Sequence, residues 1–358
     1  MKRSLVNMEF FQKKRNILIL VLCCTIVFVV YVFAIHDTNP RMALANDVNK
    51  EPRAEEKKQP ITLLFVGDMM ADRGVRRKVE HDLGGEYAKL FENIPEIGDV
   101  DIAFGNLEGP VAGPSIGRLR GSRFSFRMSP DFADALSVAG FDVLSFANNH
   151  VGDYGDGAFL ETLRLLDEKE ILYAGAGRNS THAQSVRIIE KQGLKIGFIA
   201  FSDVGPKWME AKEDRPGQLI YRKESAESLV HNAKSQVDIL FVSIHWGSEY
   251  STANKNQENI AKGLIDAGAD GIIGHHPHVM QKIGWYNEKP IFYSLGNFIF
   301  DQYFSPHTMR GMVVKMTIDP YTKKISAEPF VTTLSSLYVP QKLMPFNESM
   351  LITKTFTP

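Results

Sequence analysis

A chain of 358 residues, 44% hydrophobic and 23% charged, has the length for one large domain or two small ones with a substantial core. Its formal net charge of −1 gives no electrostatic basis for holding nucleic acid, so that class of partner is set aside. Both cysteines, Cys23 and Cys24, lie in one apolar run, which excludes a disulfide framework or a cysteine-based zinc site in the rest of the chain.

Residues 1–16 form a basic segment, and Ile17 to Ile35 follow as 19 residues without a charge. That run is long enough to cross a bilayer. Lys13, Lys14 and Arg15 flank it on the N-terminal side, whereas His36 and Asp37 follow it. The asymmetry predicts a single-pass anchor in the cell membrane, with the N-terminus cytoplasmic and the remainder extracellular. A cleaved signal peptide is the competing reading, since Ala43-Leu44-Ala45 resembles a cleavage site, though it lies far beyond the run. Residues 36–60 are polar, hold three prolines and show no apolar periodicity, as a flexible stalk does.

From Ile61 the chain alternates short apolar runs with helix-like segments. The strand candidates are 61–68, 101–108, 141–150, 194–203, 237–247, 269–278 and 289–300. They are rich in branched and aromatic residues and nearly continuous in hydrophobicity, as strands buried on both faces are. Helices are expected over 129–140, with Ser129 as N-cap, Pro130 at the first position and Gly140 as the stop, and over 157–170 and 256–268. The pattern is α/β, with a domain over 61–340 and a C-terminal extension over 341–358.

Each predicted strand ends in a polar cluster: Gly67-Asp68, Asn106-Leu107-Glu108, Asn148-Asn149-His150, Ser202-Asp203, His245-Trp246-Gly247, His276-Pro277-His278 and Gly296-Asn297. Sites in α/β sheets form outside the carboxyl ends of the strands, so the sequence brings acids, amides and histidines to one edge. A proline biases the residue before it toward extended backbone, and i and i+2 then share a side. His276 and His278 are therefore expected to project together, with His275 pointing away. With Asp68, Glu108, an asparagine carbonyl and His245 they make a mixed nitrogen and oxygen set, which suits manganese, zinc or iron better than magnesium or calcium.

The stretches GDMMADR, GNLEGPV, FANNHVGDYG, HWGSEY, GADGIIGHHPHV and YSLGNFIFDQ, in this order between about residues 61 and 303, together resemble the CapA family of poly-γ-glutamate capsule biosynthesis proteins. The domain of that family is related to calcineurin-like metallophosphoesterases. The resemblance implies an αββα sandwich of the metallophosphoesterase type, preceded here by one transmembrane helix, with one or two divalent ions at the strand ends. It implies Asp68, Glu108, Asn149, His245, His276 and His278 as metal ligands and His150 as a general acid. One departure stands out: metallophosphoesterases begin with D-x-H, and this chain has Asp68-Met69-Met70.

Several residues outside the ligand set are candidates for smaller roles. Arg73 and Arg310 could each hold a carboxylate or phosphate by paired hydrogen bonds. Asp153, Glu249 and Asn297 are candidates to orient the ligands and His150. Trp246 and Tyr250 fit a substrate groove or the core equally. His81, His182, His231 and His307 belong to no cluster. The expected partners are the bilayer, poly-γ-glutamate or another anionic polymer, and the membrane-bound subunits that make or export it. Three functions fit the residues: a metal-dependent hydrolase or phosphoesterase, a non-catalytic accessory that binds or guides polymer, and metal-assisted proton abstraction at an α-carbon.

Overall fold

The computed structural model describes residues 58–120 and 124–356, and the span from Lys58 onward forms one compact unit. The expectations for residues 1–16, for the apolar run 17–35 and for nearly all of the 36–60 stalk lie outside the described residues. Among the described residues no helix is long and apolar enough to cross a membrane.

Two sheets carry the domain. The first contains β1 (Ile61–Met69), β2 (Ile102–Leu107), β3 (Val143–Ser145), β4 (Leu172–Ala174), β13 (Asn297–Ile299), β14 (Arg310–Ile318), β15 (Ile325–Thr333) and β16 (Met344–Pro345). Its order is β16-β15-β14-β1-β2-β3-β4, with β13 paired to the end of β1. The second contains β6 (Arg187–Lys191), β7 (Leu194–Ser202), β9 (Ile239–His245), β10 (Gly271–His275), β11 (Ile283–Tyr286) and β12 (Lys289–Phe292), ordered β11-β12-β10-β9-β7-β6. A two-stranded ribbon of β5 (Ala176–Gly177) and β8 (Gly217–Gln218) stands apart. The strands β1 to β4 run parallel, as do β7, β9, β10 and β12, so each sheet delivers its carboxyl ends to one edge.

The period of two along each strand explains the layers. In β1, Phe65 faces the second sheet while Leu64 and Val66 face helices. Phe65 lies with Phe104 of β2, Phe198 of β7 and Phe241 of β9 in an aromatic cluster between the sheets, with ring centroids 5.1 to 5.9 Å apart. On the outer face of the first sheet pack α1 (Arg73–Asp82), α2 (Asp131–Ala139) and α3 (Gly155–Glu168), through residues such as Val75, Phe132 and Phe159. After the short α4 (Ser180–Gln184), α5 (Lys223–Lys234) and α6 (Lys255–Asp266) cover the second sheet through Val230, Ile260 and Leu264. The result is helices, sheet, sheet, helices: an αββα sandwich.

The 129–140 helix begins later than expected, at Asp131 with Pro130 as its cap, and stops at Gly140, whose φ of +97° suits a residue without a Cβ. The segment after residue 340 packs onto the same unit. Residues 344 and 345 extend the first sheet, Ile352 N–H donates to the Met280 carbonyl, and Phe356 N–H donates to the Tyr250 carbonyl. The Phe356 ring stacks on Tyr250 with centroids 5.5 Å apart.

Candidate metal centre

Asp68 and Glu108 stand at neighbouring strand ends, both fully buried, yet their surroundings differ. The Asp68 carboxylate is well supplied with donors. Its Oδ1 accepts from Asn106 Nδ2 at 2.9 Å and meets His275 Nδ1 at 3.1 Å, and its Oδ2 accepts from His276 N at 3.2 Å. Glu108 has no hydrogen-bond partner on either oxygen. Its nearest counter-charges are His278 Nε2 at 3.5 Å and His150 Nε2 at 4.0 Å. A buried carboxylate without partners costs several kcal/mol unless a cation compensates it. Ligand atoms of Asp68, Glu108 and His278 lie within 4.8 Å of one another, as do those of Glu249, His276 and His278. The residues present therefore fit a divalent ion.

Close approach of two chain segments builds this edge. Asp68 N–H donates to the Gly296 carbonyl at 2.9 Å, and a Cβ on Gly67 would stand 2.0 Å from that oxygen. Glycine at 67 is thus what lets the segment entering β13 lie against β1. That contact brings in Asn297, whose Oδ1 accepts from His278 Nδ1 at 3.0 Å. The bond leaves His278 Nε2, the nitrogen facing Glu108, as the one free to ligate.

The histidine run corrects two expectations. His276 and His278 are not extended: their φ angles are +97° and +56°. The chain bends directly after β10 because His276 N–H is bound to Asp68, and this long-range bond overrides the local bias set by Pro277. Such backbone costs about 1–3 kcal/mol per residue and persists only where surroundings impose it. The two rings still converge, with centroids 5.9 Å apart, and His276 lies 4.8 Å from the His245 ring. His275 does not point away. It is the last residue of β10, paired in register with His245, and its buried ring sits on Asp68.

Electrostatics follow from these contacts. Burial, with the neighbouring His276 acting in the same direction, pushes His245 well below the usual imidazole range. Burial and the neighbouring His278 push His276 down to about 3. Both rings are therefore neutral, with lone pairs to offer. Burial would lower His278 too, but the carboxylates of Glu108 and Asp68 outweigh it and hold the group at about 9. Burial drives Glu108 well above the usual carboxylate range. For Asp68 burial acts upward, and hydrogen bonds from His275 and His278 overcome it, so the group lies well below.

Asn149 and His150 reach the same edge from the loop after β3. Asn149 Oδ1 is 2.8 Å from His245 Nε2. Asn148 fixes the loop: its Oδ1 accepts from His150 N–H and its Nδ2 donates to the Leu107 carbonyl. His150 Nδ1 is 2.8 Å from Asp153 Oδ2, an oxygen that also accepts from Phe126 N–H, and the Phe126 ring lies 4.0 Å from the imidazole.

A cavity of about 430 Å³ opens beside these groups, lined among others by Arg73, His150, Glu249 and His278. Arg73 pairs with Asp301 and lies over the Phe126 ring at 4.7 Å. Glu249 is exposed at the mouth. Arg310 is not brought in: it opens β14 opposite Thr333 and does not line the cavity. Of the two aromatic candidates, Tyr250 lines the cavity, with its hydroxyl bound to Gln302 Nε2, whereas Trp246 is buried with its Nε1–H on the Tyr293 carbonyl. Reading the sequence missed the support given by Asn106, Asn148, His275 and Asp301. All four lie inside the quoted motifs, which was the signal available.

The chain matches the family model described as bacterial capsule synthesis protein PGA_cap over residues 62–302. It is 33% identical over 259 residues to a Bacillus anthracis protein named capsule biosynthesis protein CapA, covering 70% of this chain and 62% of that one. It is 36% identical over 241 residues to a protein of Bacillus subtilis strain 168 named PGA biosynthesis protein CapA, covering 66% and 63%. The chain thus spans less than two thirds of the length of these curated relatives. Among solved structures, a phosphatase from Mycoplasma pneumoniae overlays with a TM-score of 0.47 at 12% identity, covering 80% of this chain and 95% of that one.

Proposed function

The chain belongs to the bacterial capsule synthesis protein family, and from that membership we propose that it is a membrane-anchored, extracellular protein of poly-γ-glutamate capsule formation or export whose domain carries a metal-dependent hydrolytic site of the metallophosphoesterase type. The observation that carries the reading is Glu108, a fully buried carboxylate with no hydrogen-bond partner, facing His278 and His150. Glu108, Asn149, His245, His276 and His278 would hold a manganese, zinc or iron ion, with Asp68 at the same edge. A divalent ion there supplies a Lewis acid that polarises a phosphoryl or acyl oxygen and makes water more acidic.

The chain's own part is proton handling and positioning. Asp153 fixes the His150 ring through Nδ1, which leaves Nε2 to hold a proton and give it to a leaving group. Phe126 covers the ring and excludes water from one face. His150 stands beside the ligands without being needed to hold the ion, so His150→Ala and His150→Gln should keep metal and fold but lower turnover by roughly 10²–10⁴. The measurement is capsule polymer per cell at matched protein level, with bound metal determined in parallel. Wild-type output from both variants, metal retained, would sink the hydrolytic reading.

One observation favours a second reading, a non-catalytic accessory that binds or guides polymer beside the synthase and exporter. Met70, at the position of the missing D-x-H histidine, is buried in a small apolar cluster with Phe126 and Phe300. The Asp68 carboxylate next to it is satisfied by protein donors.

A further inference from the structure

The loop that leaves β9 carries Glu249 to the mouth of the cavity, and bonds to the histidine run hold it there. Tyr250 N–H, next in the chain, donates at 2.8 Å to the carbonyl of Pro277, the residue between His276 and His278. The Ser251 carbonyl accepts from Gln281 Nε2 at 2.7 Å, and Gln281 Oε1 accepts from Gln257 Nε2 at 2.9 Å, both glutamines being buried. Gly247, with φ +80°, lets the loop pass close to Gln257, because a Cβ there would stand 2.8 Å from that side chain. Glu249 is thus an exposed residue on a backbone that is fixed relative to the two histidines.

A carboxylate oxygen of Glu249 and one ring nitrogen from each of His276 and His278 lie within 4.8 Å of one another. A carboxylate that only orients a ligating histidine accepts a hydrogen bond from the second nitrogen of that ring. Glu249 does not do this. Asn297 takes Nδ1 of His278, and Nδ1 of His276, in a residue 7% exposed, has no hydrogen-bond partner among the described residues. A polar atom buried in this way is costly until a partner is added. His278 also belongs to the group with Asp68 and Glu108. With Nδ1 occupied, its one free nitrogen can serve one ion, so Glu108 and Glu249 answer to the same ion.

We infer that Glu249 is a direct ligand, reaching the ion of Glu108 and His278 from the cavity side, and that it biases the site toward manganese. A second carboxylate makes the donor set richer in oxygen, which manganese favours, against the imidazoles that suit zinc. The inference rests on the reading that this edge holds a divalent ion, and it gives that ion a ligand from outside the buried strand ends.

The test uses the full chain in detergent, freed of metal with chelator and titrated separately with manganese and with zinc. Glu249→Gln should bind manganese more than about 100-fold weaker than the wild type, beyond the roughly 10- to 100-fold that loss of a supporting group costs. Its melting temperature in chelator should equal that of the ion-free wild type. Glu249→His should raise the ratio of zinc to manganese affinity, because it trades oxygen for nitrogen. Cobalt(II) loaded into the wild type and into Glu249→His should give different visible absorption bands, since a ligand has changed. Where a variant melts early without its ion, or the loss of affinity is smaller, the cobalt bands decide: a shifted band supports the ligand, and superimposable bands make Glu249 a supporting group and overturn the inference. Wild-type manganese affinity in Glu249→Gln, with the ion lost from Glu108→Gln, overturns the assignment of Glu249 and leaves the metal reading intact. No binding of manganese, zinc or cobalt by the wild type overturns both.

Discussion

Glu108 can be tested without changing its shape. Glu108→Gln should lose most of the bound ion, because an amide replaces the charged oxygens. Burial raises the folded-state pKa of this carboxyl above its ordinary value of 4.5. A raised carboxyl stabilises the fold relative to its ionised form below about pH 4.5, and that contribution is lost as pH climbs through the folded value. The ion-free wild type should therefore fall behind ion-free Glu108→Gln as pH rises from 5 to 8, by roughly 1–3 kcal/mol at the top of the range. Urea unfolding at several pH values in chelator measures this, and an unchanged difference across pH would show that Glu108 carries no buried charge. The histidines make a second test. His276→Ala should abolish metal uptake, whereas His275→Ala, which removes only the Asp68 contact, should weaken affinity about 10- to 100-fold. Chelator competition distinguishes the two, and identical behaviour would contradict the separation of ligand from support. At this scale the polar strand ends were legible, because side-chain chemistry is written locally. The direction of His275 and the backbone of His276 were not, since both are set by Asp68, more than 200 positions earlier in the chain.

The elements that read well are those whose burial is uniform. Strands β1, β2, β7, β9 and β10 are buried along almost their whole length, and their apolar runs said so. By contrast β14 and β15, on the antiparallel side of the first sheet, carry charges within their runs and gave no such signal. Helix α6 was expected, but its capping box, formed by Asn254 and Gln257, was not seen from sequence. The sheets meet through the phenylalanine cluster, and Phe65 touches Phe104 beside it in its own sheet and Phe241 across the layer. Phe65→Ala should cost about 3–5 kcal/mol in urea unfolding. A loss below about 1 kcal/mol would mean that the layer between the sheets relaxes to fill the space.

For the whole molecule, the site exists only where two sheets present their carboxyl ends together: Asp68 and Glu108 come from one, His245 and His275 from the other. The α/β class followed from the alternation of elements, while the pairing of two sheets rested on family resemblance and not on any pattern in the chain. The proposed topology belongs to this scale as well. Protease added to intact protoplasts should digest the domain beyond residue 58, and full protection, with permeabilised controls digested, would reverse the orientation. Phe356 has a different consequence. Its ring closes over Tyr250, and Tyr250 is one wall of the cavity. A reporter or affinity handle joined beyond Phe356 is therefore not inert baggage: it loads that ring and the wall beneath it, so a weak C-terminal fusion would report a displaced wall before it reported lost chemistry.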